Sequence, residues 1–251
     1  MKRSNEAAAA KKSLAAKKPA AKKTVLKKVA AKGLAKKGVA AKRPAVGQAT
    51  SESAVGKRVG RKGTSGSILA AARELLQREG IAGVAMRSVA EQVGVTPMAI
   101  YRHFEDREAL LNAVADAGFE ELAKRIRGTK REGGLENQVM TVGTVFLDAA
   151  LASPHLYELM FLAPRKGARV YPDDFHAGRS PTFQPMVEML EKAMRQGDLR
   201  EDNAAEIAFE LSALSHGLIV LYLGGRVAQS ANEFRALYQR SFWRYFDGLR
   251  H

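Results

Sequence analysis

The first 62 residues cannot enter a hydrophobic core, and this limits where the chain can fold. They hold nineteen of the 41 Lys and Arg residues but only Glu6 and Glu52 of the 26 acidic ones, a net charge of +17. The remainder therefore carries −2 within an overall formal charge of +15, so the basic character belongs to the tail. A folded part of near-neutral charge must owe any specific recognition to a local surface. The chain has no cysteine, which excludes disulfides, thiolate metal sites and thiol nucleophiles and fits a reducing cytoplasm. Its most apolar stretch, Ile207 to Leu223, contains Glu210 and His216 and falls short of the ~20 residues of a membrane span. The expectation is a cytoplasmic protein with no membrane partner.

Within the tail, lysine pairs recur at Lys17-Lys18, Lys22-Lys23, Lys27-Lys28 and Lys36-Lys37, separated by Ala, Pro and Gly. This pattern resembles the tail of a linker histone. With few large apolar side chains it cannot offset the entropy of ordering its backbone, and residues 1–62 are expected to be disordered when free. A solubilising tail and an anionic membrane surface are the competing readings, but there is no lipid-anchor signal and little apolar face. Double-stranded DNA fits better. Six to ten lysine–phosphate contacts would make affinity fall ~10³–10⁵-fold between 50 and 200 mM salt.

Past Gly63, apolar residues begin to recur with helical period. Ile68, Ala72, Leu75 and Leu76 share one face, and Gly80 stands where a left-handed C-terminal residue is wanted. A second short helix from about Met86 to Val93 turns Val89, Ala90 and Val93 inward and ends at Gly94. Thr96 is placed to cap a third helix with Pro97 at its first position, where a missing N–H costs nothing. Two short helices across a tight glycine turn form the pattern in which the last helix enters the major groove by its N-terminal residues.

The run Ala90-Glu91-Gln92-Val93-Gly94-Val95-Thr96-Pro97-Met98-Ala99-Ile100-Tyr101-Arg102-His103-Phe104, followed by Arg107-Glu108-Ala109-Leu110-Leu111, resembles the DNA-binding domain of TetR/AcrR family regulators. The resemblance implies that Tyr101 and His103 contact phosphates while Thr96, Pro97, Ala99 and Arg102 face the groove. Arg102 alone among them can bind guanine bidentately. Arg87 faces phosphate or solvent. Two departures stand out: Ala85 replaces the usual Ser or Thr cap of the second helix, and Arg107 replaces Lys while keeping the charge for a backbone phosphate. Arg58, Arg61 and Lys62, just ahead of the first helix, are placed to enter the minor groove as an arm. Ile100, Phe104 and Val89 are core.

Asp106 is placed to cap a fourth helix with Leu110, Val114, Gly118, Leu122 and Ile126 on one face, and further helices are expected beyond Gly134, up to Pro154, and from Phe183 to Gly197. The last two have the clearest starts: Asn203 with Glu206, and Ser230 with Glu233, the latter matching a capping box. The expected architecture is all-α: a disordered tail at 1–62, a three-helix helix-turn-helix domain at 63–111, and a helical ligand-binding and dimerisation domain at 112–251. The family resemblance implies that the final two helices form a four-helix bundle with a second copy, giving a homodimer on a two-fold operator. Leu218, Leu221, Phe234, Phe242 and Trp243 are the interface candidates, each equally able to be intramolecular core. Ser215-His216-Gly217-Leu218, with Ser153 to Phe161, resembles a family subgroup with a His-Gly motif in its ligand domain. Phe146, Tyr157, Met160, Phe161, Met186 and His216 are then candidate lining for an effector pocket, with plain core as the other reading.

Three function classes compete: a regulator, in the first place a repressor released by a small-molecule effector; a nucleoid-associated architectural protein dominated by its tail; and an enzyme. No Gly-x-Ser-x-Gly elbow, phosphate loop or His-Glu-x-x-His helix is present, and Asp173, Asp174 and His176 sit in a polar stretch where solvation is the simpler reading than metal ligation. Neither a cofactor, a metal nor an enzymatic activity is expected.

Overall fold

A computed structural model describes residues 61–250, and for Arg61, Lys62 and Arg250 the backbone alone. The tail, with Arg58, lies outside the described residues. Helices account for all regular structure among the described residues. They are α1 (Arg61–Gly83), α2 (Met86–Val93), α3 (Pro97–Tyr101), α4 (Arg107–Gly128) and α5 (Leu135–Ala152), then α6 (Pro154–Phe161), α7 (Asp173–His176), α8 (Gln184–Gln196), α9 (Ala204–Leu223) and α10 (Ala231–Arg250).

The first three helices close over Ile68, Leu76, Val89 and Ile100, each fully buried, with Phe104 sealing the far side. Gly80 interrupts α1 with a φ of 70°, and the ring of His155 on α6 lies where a Cβ at this position would meet it at 3.4 Å. A glycine is therefore required twice over, for the left-handed backbone and for the approach of α6. Gly94, at φ 75°, ends α2 and sends its N–H back to the carbonyls of Ala90 and Glu91.

The junction between reader and body is α4, and the domain boundary expected at residue 111 falls inside this helix. Its N-terminus is held by Asp106, whose carboxylate accepts from the Ala109 N–H at 2.7 Å. Arg107 adds a second tie at this end. Its Nε donates to the Val84 carbonyl at 2.6 Å, and Nη2 donates to the Ile81 carbonyl. The guanidinium thus ties the start of α4 to the carbonyls at the end of α1, while the residue itself stays exposed.

Midway along α4, Gly118 lets α6 approach closely, since a Cβ there would stand 2.7 Å from Met160 Sδ and 3.3 Å from Leu156 Cδ1. Farther on, α5, α8, α9 and α10 pack around Leu147, Leu190, Ile219, Phe234 and Tyr238, all essentially inaccessible. The Asn203 carboxamide accepts from the Ala205 and Glu206 N–H groups at 3.1 and 3.2 Å to start α9. At α10 the capping box is reciprocal: Ser230 N–H donates to Glu233 at 2.8 Å, and Glu233 N–H donates to Ser230 Oγ at 3.3 Å.

Helix α9 is longer than the apolar run suggested. Its 20 residues make it, among the described residues, long and apolar enough by composition to cross a membrane, with only 33% of its most apolar window buried in the chain. Length therefore gives no ground for excluding a span. One side of α9 packs on α5, α8 and α10, and the apolar remainder faces outward.

Replacing Asp106 by Ala removes the α4 cap. It should lower unfolding stability by about 1 kcal/mol, seen as a reduced urea midpoint at unchanged slope. An unchanged midpoint would mean that solvent serves these N–H groups equally well.

Candidate DNA-reading helix and effector cavity

Helix α3 is only five residues long, and its position follows from two anchors. Ile100 is wholly buried and Phe104 nearly so, which turns the opposite side of the helix outward. Thr96, Pro97, Tyr101 and Arg102 are exposed, Ala99 and His103 half-buried, and Arg87 is exposed in the first turn of α2. Thr96 has the extended backbone of an N-cap but makes no side-chain cap bond. Its carbonyl accepts from Ala99 N–H at 2.9 Å, so the hydroxyl is not spent on closing the helix. Ala85, the N-cap of α2, likewise provides no side-chain cap. Of the candidate contacts, Arg87, Thr96, Pro97, Tyr101 and Arg102 are thus open to solvent and Ala99 and His103 partly so. Arg107 is exposed but bonded to the end of α1, Arg58 lies outside the described residues, and the side chains of Arg61 and Lys62 are not described.

Sequence reasoning missed Met98. At 66% exposure, equalled among the large apolar side chains of the described residues only by Val170, it projects from the first turn of α3. The signal was its phase, since Ile100 and Phe104 define the buried side and a residue two positions before Ile100 points away from it.

A cavity of about 330 Å³ lies between α4, α5, α6, α8, α9 and the segment from Ala163 to Phe183. Phe146, Met160, Phe161, Met186 and His216 all line it. Tyr157 does not: it lines a smaller neighbouring cavity of about 140 Å³ against α4 and α5, and reaches the main one through its hydroxyl, 2.7 Å from His216 Nδ1. Phe146 and Phe161 meet the His216 ring at centroid distances of 5.1 and 4.8 Å. Burial pulls the His216 imidazole down to about 4 and pushes the Tyr157 phenol up. Near neutral pH both groups are uncharged, so the bond between them joins a neutral phenol and a neutral imidazole. Beside them Ser215 Oγ and Tyr238 Oη lie 2.7 Å apart, and Tyr238 donates to the Gly143 carbonyl at 3.2 Å. The inner wall is thus aromatic, uncharged and hydrogen-bonded within itself.

The interface candidates divide. Leu221 and Trp243 are exposed and Leu218 is half-buried, but Phe234 and Phe242 are buried in the chain's own core, Phe234 stacked on Tyr222 at 4.1 Å. A ring so enclosed has no surface left for a second subunit, which corrects the expectation for both. Among the described residues no group of three His, Cys, Asp or Glu is arranged to hold a metal. Asp174 is committed to Arg179 at 2.6 Å and to the Val170 N–H at 2.5 Å.

An outward-facing reading helix on a two-helix turn, joined by one helix to a bundle with a cavity, defines a helix-turn-helix transcriptional regulator. Residues 68–114 match the family model of bacterial regulatory proteins of the tetR family, and residues 139–242 match that of the tetracyclin repressor-like C-terminal domain. The chain belongs to the TetR family, whose members are transcriptional regulators and not enzymes. It is 25% identical to the uncharacterised HTH-type regulator YvkB of Bacillus subtilis, over 68% of this chain and 89% of that one. To the class A tetracycline repressor from transposon 1721 of Escherichia coli it is 28% identical, over 51% of each chain. A Rhodococcus sp. RHA1 protein of unknown function has a similar structure, with a TM-score of 0.63 and 28% identity over 78% of this chain and all of that one. The fold is shared with a TetR variant of Acinetobacter baumannii AYE, solved in complex with minocycline, at TM-score 0.54 and 21% identity over 74% of this chain and 97% of that one.

The neutral imidazole sets a pH dependence. The folded ring takes up its proton only near pH 4, the unfolded ring near 6.5, so between these values the unfolded chain holds more protons and stability declines as the pH is lowered. This group should remove up to roughly 3 kcal/mol of unfolding free energy from the upper to the lower end of that window. Urea unfolding of wild type and His216→Gln at pH 7 and 4.5 reads it as the difference between the two losses. Equal losses would overturn it.

Proposed function

We propose that this regulator is a repressor: a homodimer that reads a two-fold operator through α3 and is released when a small molecule occupies the cavity. The observation that carries the reading is the combination, in one chain, of an uncovered first turn on α3 with a cavity against the far part of the same α4. In this reading Arg102 binds a guanine edge, Thr96, Pro97 and Ala99 set the approach to the groove, and Tyr101, His103 and Arg87 hold phosphates. The second copy packs on the outward side of α9 and α10, where Ala213, Gly217, Val220, Leu221 and Trp243 are exposed. An apolar band of this kind on a bundle helix suits another pair of helices as well as it would suit lipid, and a reader of DNA needs the former. Two readers then address half-sites ~34–36 Å apart, and an effector acts by favouring an arrangement with a different spacing.

The lysine-rich segment adds affinity without sequence information, in keeping with its +17 charge. The architectural alternative gives that segment the whole of the binding. Selection of bound fragments from random DNA with protein lacking residues 1–56 separates the two, since a recovered palindromic site supports the regulator and none supports the alternative.

Two measurements refine this. Arg102→Ala should cost roughly 1–3 kcal/mol against the selected site and erase preference at one base pair per half-site, with little effect on scrambled DNA. Equal loss on both DNAs would remove Arg102 from base reading. Deleting residues 1–56 should weaken all sequences alike and flatten the slope of affinity against salt, and an unchanged slope would remove the segment from the binding account.

A further inference from the structure

The outer wall of the cavity differs in kind from the inner one. Two arginines line it, Arg165 and Arg169, and no carboxylate does. Both belong to the Pro- and Gly-punctuated segment between α6 and α8, and both guanidinium carbons stand over the Phe119 ring, 5.4 and 4.9 Å from its centroid. The Arg165 side chain is only 7% exposed, and its Nε is buried with no hydrogen-bond partner. Its other contacts are long: Nη1 is 3.4 Å from the Asn112 amide oxygen and 3.8 Å from the Asp116 carboxylate, itself largely exposed. Arg169 donates from Nε to the Arg179 carbonyl at 2.6 Å and has no acid in salt-bridge contact, because Asp174 is held by Arg179.

A buried guanidinium with an orphan N–H is costly to leave unmet, and cavity walls normally match such a donor with an acceptor. Among the described residues none supplies that acceptor to Arg165 Nε. Resting on the reading of this cavity as the effector site, we infer that its effector is a small amphipathic anion. Its acid group sits on Arg165 and Arg169, and its apolar body lies among Phe146, Phe161 and the neutral His216. The planar fork suits a carboxylate or another oxyacid, for which Arg is a better partner than Lys. At about 330 Å³ the space is at the small end for ligand sites, which suits a compact ring system or short chain bearing one acid.

The test compares two dyes of nearly the same shape whose fluorescence rises in apolar surroundings, the anionic 1-anilinonaphthalene-8-sulfonate and the neutral N-phenyl-1-naphthylamine. Both are titrated into full-length wild type, Arg165→Gln, Arg165→Lys and Arg169→Gln. Wild type should bind the anion at least about tenfold more tightly than the neutral dye. Arg165→Gln should abolish that preference, leaving the neutral dye's affinity unchanged, and Arg165→Lys should restore part of it. Arg169→Gln, which leaves the Arg165 contacts to Asn112 and Asp116 in place, should lower the preference independently of any folding defect at Arg165. Equal binding of the two dyes by wild type, or a preference that survives both Gln substitutions, would overturn the anion while leaving the cavity as a ligand site. If neither dye binds, the effector reading of the cavity falls, and this inference with it.

Discussion

Helix α4 is shared by two cores, and the arrangement of the rest follows from that sharing. Its 22 residues, about 33 Å at the usual rise, run from the carbonyls that end α1 to the wall of the cavity. At one end Arg107 ties it to Ile81 and Val84, in the middle Gly118 admits α6, and toward the cavity Phe119 and Ile126 face the aromatic cluster. Helix α6 in turn touches α1 through His155 at Gly80 and lines the cavity with Met160 and Phe161. A displacement of α6 or α4 by a ligand cannot be absorbed locally, because close-packed interiors transmit strain. Helix α1, on which the reading helix is carried, packs on both of them and is tied to α4 by the Arg73–Glu121 ion pair.

How much of this the sequence announced depended on the kind of signal. Elements with a period or a cap were legible: Gly94 before Thr96-Pro97, Asp106 at α4, Asn203 at α9 and the Ser230–Glu233 box all lie where pattern alone put them. The outward side of α3 was legible because Ile100 and Phe104 fix its phase. The bonds from Arg107 to the end of α1 were not legible, because charge says nothing of direction and a guanidinium at a helix start can be served by nearby carbonyls. Phe234 and Phe242 were misassigned for a related reason, since a stripe wider than one core requires does not say which of its residues a second copy would cover. Arg165 and Arg169 left no trace in the pattern, as an aperiodic segment gives no phase from which to infer what its side chains meet.

The cavity's two walls divide its work. The inner wall at His216, Ser215 and Tyr238 is uncharged, with Tyr157 bonded to His216 from behind and Ser215 bonded to Tyr238, so an apolar ligand body arriving there displaces no charge. Such a surface provides contact area and little orientation. The outer wall provides orientation, because the Arg165 fork has donors to spare and a fixed plane.

That division also sets the energy available for release. An effector shifts an equilibrium only by its differential affinity for the two states, and a hundredfold loss of operator affinity needs about 2.7 kcal/mol of coupling. Apolar contacts inside the cavity are poor suppliers of such a difference, since they persist in any arrangement that keeps the cavity closed. Arg165 is a better one. Its Nη1 leans toward Asn112 and Asp116 on α4 through contacts too long to be strong, and its buried Nε has no partner. An acid that draws the guanidinium inward exchanges those weak contacts for a charge-assisted pair worth roughly 1.5–3 kcal/mol, and the exchange bears on the helix that carries the reader. On the proposed reading of the cavity as an effector site, a single arginine placed between ligand and α4 is therefore of the right size to couple occupancy to DNA release.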